Sequence, residues 1–131
     1  VLSMPAKEHK GSRFTIRYCE GAQDSFDDAI AHVPEAKRAA CTAQFIARRN
    51  RLAAGERMRS PDHFNTEANL PDGKPFYAIK TTQGLRAYGW YGRERGVFHI
   101  SHFTFKNRQK LDPADTERTC ANWRLTEEPR T

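Results

Sequence analysis

The chain has 131 residues, 37% hydrophobic and 29% charged, with a net charge of +6 and three cysteines. That length suits one domain around a single modest core, and no apolar run nears the length needed to span a bilayer. The opening stretch VLSMPAKEHK has no signal-peptide core, so a cytoplasmic address is expected, and residues 1–12 read as a flexible polar tail ahead of one domain over 13–131.

RFTIRYCE alternates Phe14, Ile16 and Tyr18 against Thr15 and Arg17, the period of a strand. Ser25 to Asp28 has the form of a capping box and predicts a short helix that Pro34 closes. Pro34-Glu35 then suits the first turn of a second helix running to about Gly55. Ala39, Cys41, Phe45, Ile46, Leu52 and Ala53 form its core-facing stripe, while Arg48, Arg49 and Arg51 suit the dipole at its end. Residues 56–75 show little periodicity and read as a loop. FYAIK (76–80), LRAYGWY (85–91) and VFHISHFTF (97–105) read as strands, and their short connections make them antiparallel neighbours. Asp112-Pro113-Ala114-Asp115 reads as a helix start, with Cys120 and Trp123 placed to dock a helix through about Glu127. The expected fold is a small α+β domain of order βααβββα, an antiparallel sheet with helices on one face.

Charge is unevenly spread. Lys74 to Lys110 holds eight cations and one acid, Glu94, a net of +7 that leaves −1 for the rest of the chain. Such a concentration is the footprint of a phosphate-binding surface, where a solubilising face would mix both signs. On LRAYGWY, Arg86, Tyr88 and Trp90 share one side, which makes either a platform for stacked bases beside a phosphate ligand or an ordinary aromatic core face. Arg86 is the harder to place in a core, because no acid lies near it in sequence. His99 and His102, three apart, fall on opposite faces of a regular strand unless a bulge intervenes, which argues against a metal pair; either could act as a general base, with His63 a weaker candidate. Cys19, Cys41 and Cys120 are far apart and lack the spacing of zinc or redox motifs. Neither a metal nor another cofactor is expected.

The stretch FYAIKTTQGLRAYGWYGRERGVFHISHFTFKNRQKLDP resembles the core of the RelE/HigB superfamily of toxins, in particular its phage-derived HigB-like branch. A strand ending in a basic residue, a strand opening on Leu-Arg, and a final strand running into a basic tail, a proline and a helix are matched by Lys80, Arg86, Lys106, Lys110 and Pro113. Asn107 stands where that tail has a second lysine, Asp112 adds one residue before the proline, and no tyrosine follows Tyr91. The resemblance implies a βααβββα fold and a type II toxin that cleaves mRNA without metal, often on the ribosome, by attack of a ribose 2′-hydroxyl on the adjacent phosphate. It implies catalytic roles for Arg86, Lys106 and Arg108, with His102 as a stand-in acid–base group. RNA-binding roles fall to Lys80, Tyr88, Trp90 and Lys110. The implied partners are mRNA and a cognate antitoxin that covers the basic face. Two other readings stay open: a non-enzymatic toxin of the gyrase-inhibitor kind, and a nucleic-acid-binding phage accessory protein without catalysis.

Overall fold

Alternating apolar residues build a larger sheet than the sequence suggests. In a computed structural model, which describes residues 8–106 and 111–128, the order is β1 (Glu8–Lys10), β2 (Thr15–Tyr18), α1 (Ala22–Ile30), α2 (Glu35–Ala53), β3 (Phe64–Asn69), β4 (Pro75–Lys80), β5 (Leu85–Tyr91), β6 (Val97–Phe105) and α3 (Pro113–Glu127). The strands form one sheet in the order β1-β2-β6-β5-β4-β3. This is a small α+β domain, with two strands beyond the expected βααβββα. β1 lies in the stretch expected to be a tail and pairs antiparallel with β2. β3 lies in the stretch expected to be a loop and pairs with β4. Its period-two signal is broken because the register shifts between Thr66 and Ala68, leaving Glu67 as an extra residue.

The sheet is mixed and not purely antiparallel, since β2 runs parallel to β6. The intervening α1, α2 and three-strand meander return the chain beside β2, which a hairpin could not do in this direction. Gly84 and Gly96, both at positive φ, close the β4–β5 and β5–β6 turns.

α1 starts three residues before the expected capping box, directly after Gly21 in the left-handed region (φ 87°). Ser25 therefore lies inside the helix. Its hydroxyl donates to the Ala22 carbonyl at 2.7 Å and accepts from the Phe103 amide at 2.9 Å, tying α1 to β6. α2 follows its expected span, with Cys41, Phe45, Leu52 and Ala53 buried but Ala39 exposed. Arg49 turns inward and donates to the Tyr18 hydroxyl at 3.1 Å, so it is not a solvated dipole partner.

The helices do not share a face. α1 and α2 pack with Ile16, Ile79, Leu85, Ala87, Phe98, Ile100 and Phe103. α3 covers the opposite face, where Trp123 meets Leu70, Phe76, Ala78, Tyr88 and Trp90. Asp112 caps α3 as expected, accepting from the Ala114 amide at 2.9 Å. None of these helices is long and apolar enough to cross a membrane.

Trp123 is the main apolar anchor of α3, since only Thr119 accompanies it among the helix's buried residues, and Arg93 lies 5.0 Å over its ring. Trp123→Ala is expected to lower the stability measured by urea unfolding by about 3–5 kcal/mol, as large-to-small core changes do.

Candidate functional site

Four neighbouring strands and the first turn of α3 place ionisable side chains together. Lys80 ends β4 and stands directly across from Arg86 of β5, which in turn faces Thr104 of β6. Lys106 follows β6 by one residue. Lys80 and Arg86 are 8% and 7% exposed, so neither is an ordinary solvated cation. Lys80 Nζ donates to the Pro61 carbonyl at 3.2 Å, and its own carbonyl accepts from Arg48 Nη1 at 2.7 Å. Lys106 Nζ sits 3.2 Å from Asp115 Oδ2.

The β5–β6 register holds the device that assembles this side of the sheet. Tyr88 pairs with His102 and Gly89 with Ile100, so Ser101 is an extra residue in β6. The bulge puts His99 and His102 on the same face despite their spacing, beside Trp90 and Tyr88. Each histidine meets an acid from a different end of α3. His102 Nε2 lies 3.0 Å from Asp115 Oδ1, and His99 Nε2 lies 3.2 Å from Glu127 Oε1.

A hydrogen-bond chain stands behind His102. Asn122 Nδ2 donates to Ser101 Oγ at 2.8 Å, and Ser101 Oγ lies 2.8 Å from His102 Nδ1. On the other side of the ring, Nε2 faces the Asp115 carboxylate. Both oxygens of Asp115 are thus committed. Burial pushes its carboxyl up, but His102 and Lys106 outweigh burial and hold it below the usual aspartate range.

Glu67 behaves in the opposite way. Following Thr66, which faces the α1–α2 side with Tyr77, Glu67 lies on the charged side of the sheet, where Lys80, Arg86 and Lys106 all act on its charge. Burial nevertheless pushes its carboxyl above the usual range. Its Oε1 is buried and accepts no hydrogen bond among the described residues. Tyr88 lies in the same field: burial first, then Asp115 and Glu67, push its phenol up, with Arg86 pulling the other way.

The cluster therefore holds three cations and two carboxylates, a milder field than the segment from Lys74 to Lys110 implies by itself. Its acids come from β3 and α3, outside that segment. With little water around them, these groups interact strongly and can both hold an anion and move a proton.

Of the residues singled out from sequence, Lys80, Arg86 and Lys106 come together. His102 stands behind Asp115 with both ring nitrogens engaged, and so positions that carboxylate. Tyr88 and Trp90 are 0% and 1% exposed, and α3 packs over them. They form core here and offer no open stacking face. Tyr91 is the aromatic of β5 that reaches solvent, at 40%, and it stands on the α2 side against Phe14, Tyr77 and Phe98. Arg108 and Lys110 lie outside the described residues. His63 starts the chain into β3 and accepts the Lys80 amide through its carbonyl. Among the described residues no group of three or more His, Cys, Asp or Glu is placed to hold a metal ion.

The sequence does not mark Glu67 or Asp115 as site residues: Asp115 reads as an acid in a first helical turn, and Glu67 falls in the stretch that reads as a loop. Comparison with family models, curated proteins and solved structures returns no match.

Burial holds His99 below the ordinary imidazole range, against the pull of Glu127. Its folded value is below its unfolded value, so neutral His99 contributes stability above about pH 6.5, and that contribution is lost as pH falls through the lowered folded value. Urea midpoints measured from pH 7 down to pH 5 should fall for the wild type and fall less for His99→Asn.

Proposed function

We propose that this chain is an endoribonuclease toxin of the RelE/HigB-like kind, cutting mRNA in the cytoplasm, on the ribosome or off it. The observation that carries the reading is the meeting of Lys80, Arg86 and Lys106, from the ends of β4, β5 and β6, with an unpartnered carboxylate oxygen among them. The observed order ββααββββα differs from the βααβββα that the resemblance implies by two strands, and the remaining elements keep the implied succession. β1 and β3 extend the sheet at its two edges.

The chemistry asks for what these residues offer. When a ribose 2′-oxygen attacks the adjacent phosphate, negative charge builds on the phosphoryl oxygens. Preorganised cations stabilise that charge more than they stabilise the ground state. Arg86 presents a planar fork suited to two phosphoryl oxygens, while Lys80 and Lys106 act as point charges on either side. Neither lysine need leave its protein partner, because an ammonium has three donors. A cognate antitoxin would silence the site by laying an acidic segment across these cations.

Tightly controlled expression in a bacterial host, with mapping of new mRNA 5′ ends, tests this. Growth arrest with new ends inside coding regions is expected, with cleavage reduced by about 100-fold or more in Arg86→Ala. Purified protein should cut in excess chelator. Arrest without new ends would transfer the proposal to the gyrase-inhibitor kind. Salt-dependent RNA binding without cleavage at any protein excess would leave a nucleic-acid-binding module.

A further inference from the structure

We infer that Glu67 is the group that takes the proton from the attacking 2′-hydroxyl; this assignment rests on the ribonuclease reading and names its general base. Three features of the structure lead to it. The first is position. Regular alternation after Thr66, which pairs with Tyr77 in β4, would be followed by one residue facing Phe76, and that place is taken by Ala68. Glu67 is the inserted residue, and bulges of this kind re-aim a side chain or end a pairing. Alternation after Thr66 puts Glu67 on the side of Lys80 and Arg86, and the insertion leaves it without a cross-strand partner of its own.

The second feature is unused accepting capacity. Most buried polar atoms are hydrogen-bonded, and an exception in a native fold asks for a reason. Glu67 Oε1 is buried without a hydrogen bond among the described residues, in a cluster rich in donors.

The third is the contrast between the two acids. Asp115 has one oxygen on His102 and the other on Lys106, which keeps it ionised and occupied. Glu67 is pushed up by burial, toward the range in which a carboxylate is a useful base. Two carboxyl groups whose surroundings drive them apart are the usual mark of divided acid–base roles. The other titratable groups do not compete. His102 is occupied on both nitrogens, and the Tyr88 phenol is pushed up by burial. The charged groups that act on Glu67 are Lys80 from β4, Arg86 from β5 and Lys106 from beyond β6, with Asp115 of α3 sharing its field at Tyr88.

The 2′-hydroxyl proton passes to the Glu67 carboxylate as the O2′–P bond forms. The P–O5′ bond breaks, and O5′ takes a proton from the Lys106 ammonium, which Asp115 holds in place. The products are a 2′,3′-cyclic phosphate and a 5′-hydroxyl. Glu67 then gives its proton to solvent and Lys106 regains one from it.

The test compares wild type, Glu67→Gln and Glu67→Asp on naked mRNA and on mRNA held by ribosomes. Thermal unfolding and RNA affinity are measured alongside. Glu67→Gln should fold, bind RNA at least as tightly because a negative charge is gone, and cleave about 100-fold more slowly or worse. The wild-type rate should rise with pH and level off, an acid limb that Glu67→Gln lacks. Glu67→Asp, which keeps the carboxylate, should retain that limb at a lower rate, and it serves as the reporter if Glu67→Gln does not fold. A second substrate carries sulfur in place of the bridging 5′-oxygen, a leaving group that needs no proton. It should restore Lys106→Met and leave Glu67→Gln slow. Wild type that cuts neither substrate form overturns the ribonuclease reading and this assignment with it. Wild type that cuts, matched by Glu67→Gln with the same pH profile, overturns the assignment alone.

Discussion

One inserted residue, Ser101, governs how α3 meets the sheet. Without it, His99 and His102 would face opposite sides of β6, and one of them would enter the core that α1 and α2 build around Phe98, Ile100 and Phe103. With it, both face α3, where Asp115 in the first turn and Glu127 in the last receive them. Ser101 is itself part of the junction, since its hydroxyl bridges Asn122 and His102. A buried polar arrangement of this sort adds little net stability over an apolar one, but it tolerates few alternative registers. Trp123 supplies the apolar contact, and the acid–histidine pairs set where along the sheet the helix rests.

That placement has a chemical consequence. Resting α3 where it does brings Asp115 to Lys106 and closes the helix over Tyr88 and Trp90. The ionisable residues then gather at one end of the sheet, around the first turn of α3, while the aromatic pair becomes core. The Trp90 indole nitrogen has no hydrogen-bond partner among the described residues. The burial of that polar atom indicates that aromatic packing outweighs hydrogen bonding at this position.

Cations and carboxylates in the cluster divide into two kinds of pair. Asp115 with His102 and Lys106 is saturated, and removing a partner would leave charge buried and uncompensated. Glu67 with its three cations is coupled through the field and not through a hydrogen bond at Oε1. A saturated group serves as a fixed support, while an unsaturated one keeps accepting capacity. This mixture distinguishes the cluster from a purely cationic phosphate groove.

Local signals in the chain were enough for much of the architecture. Period-two alternation marked β2, β4, β5 and β6, the apolar stripe of α2 and its end near Gly55 were visible, and Asp112-Pro113 announced α3. The cations were legible as a run from Lys74 to Lys110, and the structure places two of them, Lys80 and Arg86, across from each other. Features that depend on two distant segments were not legible. The bulges at Glu67 and Ser101 are defined by a partner strand, so no window of sequence contains them. The parallel β2–β6 pairing, the side of the sheet that α3 covers, and the arrival of Glu67 and Asp115 among the cations likewise follow from packing. The chain alone determined which residues carry charge and which elements hold them; the tertiary structure decided which charges meet, because burial and register are properties of pairs of segments.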